Sequence, residues 1–238
     1  MVEIATGHVS NRHQVANLNN ISSYVFGPEQ KNETYHSWYC FDEQLKQHID
    51  SVGTIQGFSG AYYINSIILD FDKKELSNTD LYDSVHWLVN FEMIQDLGIK
   101  KDDILIWYSG TGFHIEMPNI FGFTPSTTLP QVVKETLQAV FPSCDNIYDG
   151  ARLIRAPFSY NAKKGNFKIQ FTVDSFNECD MDSIMSASKE GFEQDDIDVV
   201  NALRNKWSNK EPYMQSLIEY PSRSVASKET VRSQFRMD

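Results

Sequence analysis

Hydrophobic positions recur with two periods along this chain, and the switches between them predict an alternation of strands and helices. The aromatic-rich residues 35–39 predict a first strand, and Phe41, Leu45 and Ile49, spaced by four, predict a helix behind it. Gly53, Gly57 and Gly60 punctuate a loop. The apolar run Ile67-Ile68-Leu69 then leads into Asp70-Phe71-Asp72 as a central strand. Asn78-Thr79 read as N-cap residues of a helix carrying Leu81, Val85, Leu88 and Val89 on one side, with Gly98 as its stop. Residues 104–108 form a strongly β-prone run that breaks at Ser109-Gly110-Thr111-Gly112 and resumes at 113–117, the pattern of a glycine-linked hairpin. Pro130 opens an amphipathic helix aligned on Val133, Leu137 and Phe141, and Pro142 closes it. A Lys163-Lys164-Gly165 turn precedes a last strand over 168–173, and beyond Asp174 the pattern is helical. Residues 1–33, polar and without clear periodicity, read as irregular or loosely helical. The whole predicts an α+β fold: a mainly antiparallel sheet with helices on one face.

Composition supports a real core, with 41% hydrophobic and 13% aromatic residues in 238. No apolar run reaches the roughly 20 residues that span a bilayer, so no membrane association is expected. Cys40, Cys144 and Cys179 are isolated and odd in number, which predicts neither a zinc site nor a disulfide framework and fits a reducing cytoplasm. A net charge of −11 argues against a phosphate-rich partner until its distribution is considered. Residues 150–173 hold five basic side chains (Arg152, Arg155, Lys163, Lys164, Lys168) and no acid, whereas 174–198 hold nine acids against Lys189 alone.

Three short segments carry candidate chemistry. Asp70 and Asp72 share one face of their strand, and two adjacent carboxylates suit a hard divalent cation as well as they suit an acidic strand end in solvent. Ser109, Gly110 and Gly112 offer small residues whose backbone N–H groups can approach an anion, with His114 a further donor on the returning strand. Asp145 precedes Arg152 and Arg155, whose guanidinium forks could clamp phosphate or pair with Asp145 and Asp149. His8, His13 and His86 have no ligand-spaced neighbours and read as ordinary histidines.

In their order, Asp-x-Asp, Ser-Gly-x-Gly-x-His and an Asp ahead of Arg152-Leu153-Ile154-Arg155-Ala156-Pro157-x-Ser159-x-Asn161-x-Lys163, these segments resemble the three motifs of the archaeo-eukaryotic primase superfamily. The likeness is closest to phage and plasmid members, which often run Ser-Trp-Tyr-x-Phe-Asp near the start, here Ser37 to Asp42, and it spans about residues 35–173. The resemblance implies a DNA-templated nucleotidyltransferase, a primase or primase-polymerase, with an RNA-recognition-motif-like catalytic core, a flanking N-terminal α/β unit and C-terminal helices. It implies two Mg²⁺ or Mn²⁺ ions on Asp70, Asp72 and Asp145, Asp149 being the other candidate third acid. Ser109, Gly110, Gly112 and His114 would grip a triphosphate, with Arg152, Arg155, Asn161 and Lys163 on further phosphates. Expected partners are single-stranded DNA template, primer, ribo- or deoxyribonucleoside triphosphates and a separate replicative helicase. The setting would be the cytoplasm of a bacterial, archaeal or virus-infected cell. The chain departs from many relatives in having no zinc-binding module and no fused helicase. The expected division is an N-terminal arm (1–33), a catalytic domain (34–173), an acidic helical extension (174–220) and a basic tail (221–238). A metal-dependent nuclease and a non-catalytic nucleotide- or DNA-binding subunit are the alternatives.

Overall fold

A computed structural model describes residues 1–18, 21, 24, 25, 31–72 and 75–218. The basic tail therefore lies outside the described residues. Two four-stranded antiparallel sheets organise the rest. The first has the order β2-β1-β3-β7, from β1 (Val2–Thr6), β2 (Gln14–Ala16), β3 (Thr34–Ser37) and β7 (Leu153–Arg155). The second has the order β10-β5-β6-β4, from β4 (Ile67–Asp72), β5 (Leu105–Tyr108), β6 (Gly112–Met117) and β10 (Ile169–Thr172). A two-stranded hairpin, β8 (Tyr160–Asn161) and β9 (Asn166–Phe167), turns through Lys163-Lys164-Gly165 as its sequence suggests, with Gly165 at φ 71°.

The irregular or helical reading of residues 1–33 is corrected by β1 and β2, which pair Val2 with Ala16 and Ile4 with Gln14. A polar residue inside β1 hid the strand. Glu3 is fully buried there, and Arg12 grips it with Nε and Nη2 at 3.1 and 2.8 Å. Its neighbours Val2 and Ile4 meet Ala16 in a small apolar cluster of their own. Burial of a paired charge defeats a hydrophobicity count.

Between the strands run α1 (Gln44–Val52), α2 (Asn78–Trp87) and α3 (Leu129–Val140, with proline in its first turn). The cap of helix α2 lies one residue before the expected pair: Ser77 is the N-cap and its side chain accepts from Asp80 N. It passes directly into a π-helical stretch, Leu88–Asp96. There the Asn90 amide donates to His86 O at 3.0 Å, competing with the backbone ladder at the point where the helix widens. Gly98, at φ 66°, ends it.

Register separates the faces of the second sheet. Asp70 lies opposite His114, Asp72 opposite Gly112, Ile68 opposite Glu116, and Trp107 opposite His114. Period-two alternation then sends Leu69, Phe113, Ile115 and Ile106 to the other face, where they join a core that includes Leu81, Val85, Leu137 and Phe176 of the helices. Polar and ionisable residues collect on the opposite face.

The acidic stretch is helical, with α4 (Val173–Asn177), α5 (Met181–Glu190) and α6 (Gln194–Trp207). Its apolar side chains Phe176, Ile184, Val200 and Trp207 belong to the same core. No helix among the described residues is long and apolar enough to cross a membrane.

Candidate metal centre

Strand β4 is hydrogen-bonded to β6 along one edge only, and the opposite edge is where the third acid arrives. Asp145 forms an antiparallel bridge to Asp70, its N–H donating to Asp70 O at 2.8 Å, and Trp38 Nε1 donates to Ile68 O at 3.0 Å. Asp145 is delivered there by the chain's exit from α3: Phe141, buried in the core, ends the helix and Pro142 prevents its continuation. Backbone pairing thus fixes the third carboxylate against the first two. One ligand atom from each of Asp70, Asp72 and Asp145 lies within 4.8 Å of the others, a group able to hold a metal ion. Asp149 stands apart from this group, exposed and paired with Arg152 Nε at 3.2 Å.

Burial first, then Asp72 and Asp145, push the Asp70 carboxyl up to about 7, against the weaker pull of Lys168 and Arg152. Its Oδ1 is buried with no hydrogen-bond partner among the described residues. A buried carboxylate oxygen left unmatched beside two more carboxylates is the environment a hard cation relieves, and the all-oxygen donor set fits Mg²⁺, Mn²⁺ or Ca²⁺ and not a thiolate-seeking metal.

His114 Nε2 lies 3.4 Å from that same Oδ1. Burial, with Lys168 and Arg155 nearby, lowers the imidazole well below its usual value, so it is neutral and the approach is not an ion pair. Its Nδ1 meets Lys168 Nζ at 2.9 Å. The lysine, itself buried, also donates to Arg155 O at 2.8 Å and is pushed down to about 7, chiefly by burial.

The glycine-rich turn is tightly closed. Ser109 N and Oγ both donate to Gly112 O, at 2.9 and 3.0 Å, and Gly112 N donates back to Ser109 Oγ at 3.3 Å. These two residues thus spend polar groups on the turn itself. Gly112 has no room for a side chain: a Cβ would lie 2.4 Å from Phe71 O and 2.9 Å from Asp72 Cα. Gly110, at φ 95°, faces the Asn166 side chain, which a Cβ would meet at 2.5 Å.

The basic residues divide. Arg155 is committed to structure: it donates to Tyr35 Oη, Tyr160 O and Glu33 Oε1 at 2.9, 2.7 and 3.3 Å and lies over the Tyr35 ring. Arg152 pairs with Asp149 near enough to Asp70 to act on its charge. Asn161 is buried, with Nδ2 donating to Ser109 O at 3.2 Å, so it braces the two turns. Lys163 is exposed at the hairpin tip and does not line the cleft. Its neighbour Lys164 does. With Lys189, Asn166, Tyr108 and Met185 it borders an open cleft of about 670 Å³ that has Asp72 at its rim.

Lys164, Lys168, Lys189 and Asn166 are residues that sequence reasoning did not select. Lys168 had a usable signal, since Lys168, Gln170 and Thr172 alternate with Ile169 and Phe171. Lys189 had none, because it comes from an acidic helix, 16 residues beyond the end of the basic stretch 150–173. No family model matches this chain, and no curated protein or solved structure matches it either.

Proposed function

We propose that this chain is a DNA-templated nucleotidyltransferase of the primase or primase-polymerase type, working through divalent cations held by Asp70, Asp72 and Asp145. The observation that carries the reading is the convergence of these three acids, 73 residues apart between Asp72 and Asp145, to within 4.8 Å. The likeness of the three motifs to the archaeo-eukaryotic primase superfamily supplies the reaction class. With β7, β8 and β9, which intervene between α3 and β10, set aside, the order β4-α2-β5-β6-α3-β10 is the strand-helix-strand-strand-helix-strand order of split βαβ folds, which include RNA-recognition-motif-like domains. In those folds the first strand lies inside the sheet, whereas here β4 stands at its rim with the Asp145 segment against it.

Mg²⁺ or Mn²⁺, when bound, would acidify an attacking 3′-hydroxyl and offset charge on the leaving pyrophosphate. The chain's own groups do the rest. Three carboxylates provide the ligands, Asp70 and Asp72 held by the β4–β6 pairing and Asp145 by its bridge to Asp70. His114, neutral and buried, offers a donor at the acidic centre, and Lys164 and Lys189 bring positive charge to the adjoining cleft, where a triphosphate would need it. Tyr108, Leu81 and Met185 give that cleft an apolar wall for a base or sugar. Single-stranded template and primer are the macromolecular substrates of this reading.

The test is incubation of the protein with single-stranded DNA, labelled nucleotides and Mn²⁺, with and without an annealed primer. Lengthened product is expected, and the Asp70→Ala/Asp72→Ala double variant should fold by circular dichroism yet incorporate nothing. Shortened DNA would favour a nuclease, and nucleotide binding without incorporation a non-catalytic subunit. Parental incorporation by the double variant would remove the acids from the reaction.

A further inference from the structure

Lys168 is a buried amine whose position the proposed chemistry leaves unexplained. Among the described residues it pairs with no carboxylate in ion-pair range. Its Nζ meets His114 Nδ1 at 2.9 Å and Arg155 O at 2.8 Å, and sits over the Trp107 ring at 5.2 Å. Glu116 and Asp70 favour its charge only from beyond ion-pair range, and burying an ammonium costs several kcal/mol. A plug for the space under β10 would more cheaply be a methionine or leucine. The amine also spans the two sheets, since Arg155 belongs to β7 and His114 to β6.

The geometry of donors decides what this contact does to the histidine. A carbonyl oxygen only accepts, so one N–H of Lys168 goes to Arg155 O. As an ammonium, the form that Glu116 and Asp70 favour, Lys168 has only hydrogens to offer, so the ring nitrogen facing it presents its lone pair. That leaves His114 Nδ1 bare and the ring proton on Nε2. Nε2 is the nitrogen 3.4 Å from Asp70 Oδ1, the edge of the ring that faces the acidic centre.

We propose that Lys168 is a positioning residue: it locks His114 in the Nε2–H tautomer and so keeps a fixed hydrogen-bond donor aimed at the acidic centre, where a nucleotide phosphate oxygen would accept it. The tautomer assignment stands on contacts alone, while the phosphate as acceptor rests on the nucleotidyl-transfer reading. Loss of the lock leaves the imidazole free to place its proton on Nδ1 and to turn a lone pair toward an anion, which repels it.

Two arms separate these layers. In protein labelled with ¹⁵N-histidine and held metal-free, long-range ¹H–¹⁵N correlation should show His114 protonated on Nε2 and bare on Nδ1, and Lys168→Met should populate the Nδ1–H form. A His114 protonated on Nδ1 in the parent chain, or a tautomer unchanged in Lys168→Met, overturns the proposal. Because the first of these needs no variant, it holds even where Lys168→Met fails to fold. In the second arm, Lys168→Met should raise the apparent KM for nucleotide in Mn²⁺-dependent incorporation about tenfold, the usual scale for losing an orienting partner of a site histidine. That change should vanish in a His114→Ala background. Equal losses in both backgrounds would mean that Lys168 acts only on the fold, and would overturn it. A chain that incorporates no nucleotide fails the functional reading and leaves the tautomer result intact.

Discussion

Asp70 and Glu116 sit on the same face of one sheet, two registers apart, and meet opposite electrostatic fates. Glu116 is buried with every need met. Arg204 of α6 grips both its oxygens at 2.8 Å, Trp107 Nε1 donates at 2.9 Å and Ser66 Oγ at 2.8 Å. Burial alone would raise its carboxyl, yet these partners outweigh it and hold the group below the usual carboxylate range. Asp70 is less deeply buried, its side chain 14% exposed against 2%, yet it has a bare Oδ1, two carboxylates for neighbours and its carboxyl pushed up to about 7. Burial is common to both. Partnering distinguishes them: the partnered acid pins the C-terminal helix to the sheet, and the unpartnered one is left with a demand that a ligand can meet.

Substitutions at the two ends should therefore move stability in opposite directions. The largest effect is expected from Glu116→Ala, which strands Arg204 and the Trp107 and Ser66 donors and should cost about 3–5 kcal/mol in urea unfolding. A loss below about 1 kcal/mol would erase the contrast. Asp70→Asn should do the reverse. The Asp70 carboxyl titrates near 7 when folded and near 3.8 when unfolded. Between those values the folded chain holds more protons, so its contribution to stability falls as pH rises from about 4 to about 7. With chelator present, Asp70→Asn should match the parent near pH 4 and exceed it by roughly 2–4 kcal/mol at pH 8. Added Mg²⁺ should close the gap by stabilising the parent alone. A gap independent of pH would show that Asp70 is not the strained acid.

Gly112→Ala probes the strand that joins the two ends. Its Cβ would meet Phe71 O at 2.4 Å, backbone that cannot give way cheaply, so a loss of about 1–3 kcal/mol is expected by thermal unfolding. The register of Asp72 should shift with it, and with that the affinity for Mn²⁺. Least affected should be Lys164→Ala and Lys189→Ala at the open cleft. Each should leave stability within about 0.5 kcal/mol and weaken nucleotide binding only a few-fold, the loss fading at high salt.

Much of this arrangement was legible beforehand because it depends on local rules. Period-two alternation put Asp70 and Asp72 on one face, the glycine-rich break closed the β5–β6 hairpin that carries His114, and Pro130 and Pro142 bounded α3. What escaped were interactions between charges distant in the chain. Arg155 looked like a phosphate clamp and is tied to Tyr35 and Glu33. The selected Lys163 lies outside the cleft that Lys164 lines. Residues 2–6 hid a strand because Glu3 looks like surface until Arg12 is placed beside it.

The sequence by itself determined the central strands and helices, the faces of β4 and β6, and the pairing of Asp70 with Asp72, since backbone geometry repeats every two or 3.6 residues whatever surrounds it. Only the tertiary structure decided that Asp145, not Asp149, closes the acidic group, that Lys168 faces His114, and that Glu116 is satisfied while Asp70 is not. Those outcomes depend on burial and on distances between segments tens of residues apart, and the energy of a charge is set by what folding brings next to it.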